Sequence, residues 1–267
     1  MNGSTDPVEL QIVGGGKMGE ALLGGLLSAG TDPGSVVVVE PVAARRAELE
    51  DTHGVSTSDT VGACSGAIVA VKPHYVELVC RQLASAGVSR VLSIAAGVTL
   101  ATLESALGDG VAAVRAMPNT PALVGMGASA LAPGKAATDA DVEWALGILG
   151  AVGAAVRVDE GLLDAVTGLS GSGPAYLFMV AEAMVEAGVL NGLPRDLAST
   201  LAFNTIAGAG KMLLTEGADP AALRGNVTSP GGTTAAGLAA LEAKAVRSAF
   251  LDAVSAAAAR SRQLGGR

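Results

Sequence analysis

Residues 10–29 read LQIVGGGKMGEALLGGLLSA. Residues 10–13 form a short apolar run of the kind that makes a buried strand. The next six, Gly14-Gly15-Gly16-Lys17-Met18-Gly19, fit G-x-G-x-x-G. Beyond them Met18, Ala21, Leu22, Gly25, Leu26 and Ala29 recur at three- and four-residue spacing, which is one face of a helix. A strand, a glycine turn and a helix in that order are the context the motif requires. Each glycine has a reason: Gly14 permits the tight turn, Gly16 lets a pyrophosphate approach the backbone, and Gly19 lets helix and strand pack closely. The helix N-terminus adds unpaired N–H groups and a positive dipole end. This stretch predicts a dinucleotide-binding α/β domain.

Working outward, residues 36–39 are Val-Val-Val-Val, a run suited to a strand buried on both faces. It ends at Glu40, where a carboxylate can accept hydrogen bonds from an adenosine ribose. Arg45 and Arg46 follow and suit a 2′-phosphate instead, or a solvated helix face. Further strands are expected at 54–56, 67–71, 91–95 and 111–117, and helices at 43–52, 74–85 and 100–107. Thr57, Ser58 and Asp59 offer N-cap chemistry for a helix after the third strand. Alternating strands and helices imply a doubly wound parallel sheet. Residues 129–131 and 156–158 suggest two more strands, the first at an edge, around a helix capped by Thr138. From Glu160 onward strand signals cease, and helices are expected at 162–169, 174–189, 195–215, 221–224, 234–244 and 246–264. Asp219-Pro220 reads as an N-cap followed by Pro at the first helical position. Two domains follow: residues 8–159, the dinucleotide-binding sheet, and 160–267, all-α.

The bulk composition narrows the function. A chain of 267 residues is long enough for a substantial core. A net charge of −8 with no basic cluster argues against a nucleic-acid partner. Cys64 and Cys80 lie in no C-x-x-C pair and read as reduced core thiols of a reducing compartment. The N-terminus lacks the basic and apolar regions of a secretory signal. Uninterrupted strongly apolar runs fall short of a membrane span. A cytoplasmic protein with no membrane partner is expected. His53 and His74, the two histidines, read as structural. There is no H-E-x-x-H, no G-x-S-x-G and no metal-ligand cluster. Hydride transfer to an already activated C=N bond needs none of these groups; it needs a cofactor, a substrate anchor and a donor near nitrogen.

Four stretches offer such chemistry. Ala70-Val71-Lys72-Pro73 ends the fourth strand, and ligands of open α/β sheets sit at the carboxyl ends of strands. Met117-Pro118-Asn119-Thr120-Pro121 ends the sixth, a stiff loop bearing one amide that suits a carboxamide. Residues 167–176, TGLSGSGPAY, precede a long apolar helix and suggest exposed N–H groups. Residues 227–234, VTSPGGTT, combine a glycine turn with more hydroxyls than a helix cap needs.

In order and spacing these stretches resemble the pyrroline-5-carboxylate reductase family over nearly the whole chain, the S-P-G-G-T-T turn most specifically. The resemblance implies a Rossmann domain followed by a helical dimerisation domain, with homodimers that assemble into larger rings. It implies NADPH- or NADH-dependent reduction of 1-pyrroline-5-carboxylate to L-proline. Carried onto this chain, Gly14, Gly15, Gly16, Lys17, Met18 and Gly19 hold the pyrophosphate, with Gly15 where the family usually has Ala. Ala70, Val71, Lys72, Pro73 and Asn119 join them, and Glu40, by its place at the end of the second strand, completes the cofactor set. The family often carries Asn near Thr57 or Ser58. Ser229, Gly231, Gly232 and Thr233 cradle the substrate carboxylate, and Thr234 donates to the ring nitrogen as the catalytic side chain. A β-hydroxyacid dehydrogenase-like enzyme or a non-catalytic dinucleotide sensor are the alternatives. The first would need a Lys, and the helix at 174–189 carries none.

Overall fold

The computed structural model describes residues 8–266. Strand β1 (Val8–Val13) alternates its side chains between two apolar layers, as a strand covered on both faces must. Ile12 packs with Leu22, Leu23 and Leu26 of helix α1 (Lys17–Ser28) on one face. Val13 packs on the other with Val76 and Cys80 of α3 (Val76–Ser85) and Leu103 of α4 (Leu100–Leu107). Ile12, Leu22 and Leu23 are fully buried, each contributing about 1.5–3 kcal/mol against exposure.

The remaining strands are β2 (Val36–Val39), β3 (Ser56–Ser58), β4 (Cys64–Val69), β5 (Arg90–Ser93), β6 (Ala112–Met117), β7 (Gly127–Pro133) and β8 (Gly153–Arg157). Helices α2 (Ala43–His53) and α5 (Asp139–Gly150) complete the unit's long helices. The sheet order is β3-β2-β1-β4-β5-β6-β7-β8. The chain turns from one direction of growth to the other between β1 and β4, so their carboxyl ends flank the crevice where ligands of such sheets bind.

Three local expectations need correction. Thr57 and Ser58 do not cap a helix: they lie in β3, paired parallel with β2. Only residues 59–63 separate β3 from β4, too few for a helix, and Ser58 Oγ caps the Thr60 amide in that turn. Next, β7 is not an edge strand. It pairs antiparallel with β6, and β8 lies outside it, parallel to β7. The short link from β6 to β7 allows a reversal, whereas a parallel return needs a dozen residues or more. Lastly, residues 167–172 are not an open glycine turn. A 3₁₀ turn (Glu160–Leu162), α6 (Leu163–Val166) and a π-helical turn (Thr167–Gly171) run on in succession, and the Ser172 amide donates to Thr167 O at 2.8 Å. The hydroxyls of Thr167 and Ser170 donate back to Leu163 O and Val166 O. The helix itself therefore occupies groups that an anion would have used.

Buried polar contacts tie this segment to the sheet unit. Arg115, in the middle of β6, is 3 % exposed and meets Glu160 at 2.8 Å. The same Glu160 oxygen accepts the Leu100 amide at the start of α4. Asp164 accepts from Ser261 Oγ at 2.7 Å, with both residues buried. Cys64 and Cys80 are free and buried, and burial pushes both thiols up to about 11, so they stay protonated at neutral pH.

Residues 8–172 with 255–266 form the first compact unit, and Gly173–Val254 form a second. The second contains α7 (Gly173–Leu190), α8 (Arg195–Leu213), α9 (Pro220–Asn226), α10 (Thr233–Ala243) and the start of α11 (Val246–Leu264). Gly188 lets α7 approach α8 closely, because a Cβ there would lie 3.0 Å from Ala198 Cβ. Asp219 caps α9 through the amides of Ala221 and Ala222, with Pro220 at the first position.

Candidate active site

The glycine turn after β1 is built from constraints that no side chain could meet. Gly14 has φ +111°, and a Cβ there would lie 2.6 Å from Ala70 O. A Cβ on Gly19 would lie 2.1 Å from Gly14 O, so α1 rests directly on the turn. Gly16 differs: it N-caps α1 in extended conformation, no side chain caps the helix, and a Cβ there would meet nothing within 4 Å. This open, uncapped helix start is a place for an anion. Gly15 sits behind the turn, where a Cβ would be 2.7 Å from Leu49 Cδ1. An Ala here would require the end of Leu49 to move.

A cleft of about 1040 Å³ opens at the carboxyl ends of β1, β2, β4, β5 and β6. Gly14, Gly16, Lys17, Met18, Glu40, Ala70, Val71, Lys72, Pro73 and Asn119 all line it. Gly15 and Gly19 do not line it but shape the turn from behind. The volume and the uncapped helix start fit a dinucleotide whose pyrophosphate rests at Gly16. Tyr75, Leu78, Val79 and Gln82 also face the cleft. Sequence reading missed them, although their three- and four-residue spacing after the V-K-P stretch marks one helix face.

Two predicted polar groups have further partners. Asn119 is 7 % exposed, with its Nδ2 donating to Ser170 O at 3.0 Å and its Oδ1 accepting the Ala128 amide at 2.8 Å. It locks the 117–121 loop while still facing the cleft. Glu40 accepts the Gly15 amide on Oε2 and the Val42 amide on Oε1, each at 3.0 Å. Beneath the turn, Arg45 donates from Nε to Gly15 O at 2.8 Å and pairs with Glu20 and Glu48. Glu20 also meets His53 Nε2 at 3.2 Å. Burial pushes the Glu20 carboxyl up, but hydrogen bonds from Arg45 and His53 outweigh it and hold the group below its ordinary value. His74 is exposed, its ring centroid 4.2 Å from that of Tyr75.

The second unit carries the other predicted set. Gly231 has φ +68°, which turns the chain into the start of α10. Gly232 is the N-cap, its amide donating to Ser229 O at 3.1 Å. A Cβ on Gly232 would strike Ser229 Oγ at 2.4 Å. No side chain caps this helix, so Thr233 and Thr234 stand at an uncapped start, with Thr234 half-buried. The arrangement is a backbone donor cradle flanked by hydroxyls, suited to a carboxylate. Among the described residues no cluster of His, Cys, Asp or Glu has the makings of a metal site.

Comparison with known proteins places these features in a family. A family model described as "Pyrroline-5-carboxylate reductase dimerisation" matches residues 160–264, and one described as "NADP oxidoreductase coenzyme F420-dependent" matches residues 9–97. The chain is 43 % identical to a pyrroline-5-carboxylate reductase of Synechocystis, covering 97 % of this chain and 98 % of that one. It is 45 % identical to one from Methanosarcina acetivorans, covering 96 % and 98 %. A solved pyrroline-5-carboxylate reductase from Coxiella burnetii superposes with a TM-score of 0.91 at 34 % identity, covering 97 % of this chain and 99 % of that one. A Plasmodium falciparum pyrroline carboxylate reductase, solved with NADP bound, gives 0.83 at 29 % identity over 97 % and 98 %.

Proposed function

This chain belongs to the pyrroline-5-carboxylate reductase family, and on that premise we propose that it reduces 1-pyrroline-5-carboxylate to L-proline, the last step of proline biosynthesis. The observation that carries the reading is the uncapped, glycine-turned start of α10 at Ser229–Thr234, a carboxylate cradle that a dinucleotide sensor would not need.

NADPH or NADH, when bound, supplies the hydride that adds to the imine carbon. Gly14, Gly16, Lys17 and Met18 hold its pyrophosphate at the start of α1, with Gly15 and Gly19 shaping the turn behind them. Ala70, Val71, Lys72 and Pro73 would line its path, and Asn119, bonded to Ser170 O and the Ala128 amide, would hold the 117–121 loop beside it. The amides of Gly231 and Thr233, with the Ser229 hydroxyl, bind the substrate carboxylate and fix the ring, while Gly232, its own amide held by Ser229 O, shapes the turn between them. That anchoring turns a chance encounter into an oriented one. Thr234 donates its hydroxyl to the ring nitrogen and steadies it as charge changes. An alcohol is a poor acid, so the proton comes from water or from the iminium form of the substrate. Residues 8–159 form the cofactor-binding domain and residues 160–267 the dimerisation and substrate domain.

A homodimer is the functional unit, and dimers assemble into larger rings. The helix spanning Glu160–Leu190 is long and apolar enough to cross a membrane, and 11 % of its most apolar window is buried. We assign its apolar surface to a second copy rather than to lipid, since Glu182 and Glu186 lie within the helix and the family model for this region is one of dimerisation. The protein is assigned to the cytoplasm.

The test is oxidation of NADPH and of NADH by the purified protein with 1-pyrroline-5-carboxylate, followed by near-ultraviolet absorbance, with proline identified as product. Cofactor binding without turnover would sink the reductase reading in favour of a dinucleotide sensor.

A further inference from the structure

We infer that Glu40 makes this chain discriminate against a 2′-phosphorylated cofactor, so that NADH is its preferred reductant. The inference rests on the dinucleotide reading of the cleft and goes beyond it by choosing between two cofactors.

Glu40 stands at the carboxyl end of β2, where the adenosine ribose lies in a sheet of this order. Its carboxylate is fixed in place by the amides of Gly15 and Val42, one on each oxygen. A carboxylate oxygen has a second lone pair, so each can still accept a ribose hydroxyl. A phosphate at the same place would face a fixed like charge. Asp59, just beyond β3, adds a second carboxylate to the cleft lining.

Of the groups that would offset this repulsion, Arg45 is engaged elsewhere and Arg46 is tied by one nitrogen to the backbone of the same corner. Arg45 is turned under the glycine turn, onto Gly15 O, Glu20 and Glu48. Arg46 Nη1 is anchored on the carbonyls of Glu40 and Pro41. Thr57 Oγ1 donates to Glu50, and Ser58 Oγ donates to Thr60 O. The cleft's lysines, Lys17 and Lys72, follow β1 and β4 rather than β2. A hydroxyl therefore finds acceptors at the end of β2, and a phosphate meets two carboxylates against the single guanidinium of Arg46.

The experiment is calorimetric titration of the full-length protein with ADP-ribose and with its 2′-phosphorylated analogue, alongside kcat/KM for NADH and NADPH. ADP-ribose is expected to bind tighter by about tenfold or more, with kcat/KM following the same order. Glu40→Gln removes the charge and keeps an acceptor for the Gly15 amide, and it should narrow the gap several-fold. Because that change also touches the turn, Asp59→Asn serves as a second variant. It leaves the turn untouched and should narrow the gap about twofold. Equal or tighter binding of the 2′-phosphorylated probe to the unaltered protein would overturn the inference. So would an unchanged ratio in both variants, which would leave Glu40 a turn-stabilising residue only. Binding of neither probe would overturn it together with the cofactor reading. Tight ADP-ribose binding without imine reduction would defeat the reductase reading alone and leave this inference standing.

Discussion

The two compact units bury their apolar residues to very different extents. In the first, Ile12, Leu22, Leu23, Ile68, Leu92, Leu103 and Leu149 are sealed between sheet and helices. In the second, the buried hydrophobic residues among those described are Val185, Ala198 and Ala202, while Phe178, Met179, Leu201 and Phe203 stand more than half exposed. Both units are rich in apolar residues, so composition is not the difference. A sheet covered on both faces closes its core within one chain. Long helices meeting along one seam leave their other faces open, and exposed apolar surface on this scale marks an association site. The first unit is thus complete within one chain, and the second awaits a second copy.

The comparison breaks most sharply at Phe203. Phe203→Glu places a charge on the open apolar face, and the dimer dissociation constant should rise by about two decades or more, because an unpaired charge would be buried. Sedimentation velocity measures this, and an unchanged dimer would show that the face is covered by something else. Thr234→Ala should lower kcat/KM by about one to three decades, as for loss of one oriented donor, with little change in cofactor affinity. Steady-state kinetics decide it, and an unaltered rate would remove Thr234 from the reaction.

A pair of glycine substitutions sharpens the picture of the first unit. Gly19→Ala forces α1 away from Gly14 O and should cost about 1–3 kcal/mol of stability. Gly16→Ala meets open space and should leave stability within about 0.5 kcal/mol. It should nevertheless weaken dinucleotide binding about tenfold, since its Cβ enters the pyrophosphate's place. Thermal denaturation and titration with ADP-ribose separate the two, and equal melting losses would refute the distinction. The smallest effect belongs to Glu20. Its folded-state value lies below the usual 4.5, so its contribution to stability is present above that value and is lost as pH falls through the lower one. Glu20→Gln should melt slightly lower than the unaltered protein at neutral pH. The difference should close below pH 4.5, and a difference that persists in acid would exclude the carboxylate as its source.

Legibility in the sequence followed the range of the interactions. The β1–turn–α1 unit was readable because its periodicity and glycines are local, and helix α4 falls on the residues that its spacing predicts. The Asp219 and Thr138 caps were readable for the same reason. Part of the cleft lining, from Gly14 to Asn119, was legible by motif and by family resemblance, whereas Tyr75, Leu78, Val79 and Gln82 were not. Nor were the cleft's hydrogen bonds: Asn119 meets Ser170 across 51 positions, and Glu40 holds Gly15 across 25. The misread segments were those where a local signal met a tertiary constraint. Thr57 and Ser58 had the chemistry of a cap but lay against β2, and the Gly/Ser run at 167–172 had the composition of a loop but continued a helix.

By itself, then, the sequence determined the order of strands and helices, the glycine turns at Gly14 and Gly231, and the family to which they belong, because these depend on residue type, spacing and contacts within a few positions. Only the tertiary structure decided the reversal of β7, the π turn before α7, the clamp on Glu40 and the engagement of Arg45 beneath the turn. Each of these depends on which distant backbone group a side chain or strand meets, and no local pattern encodes that meeting.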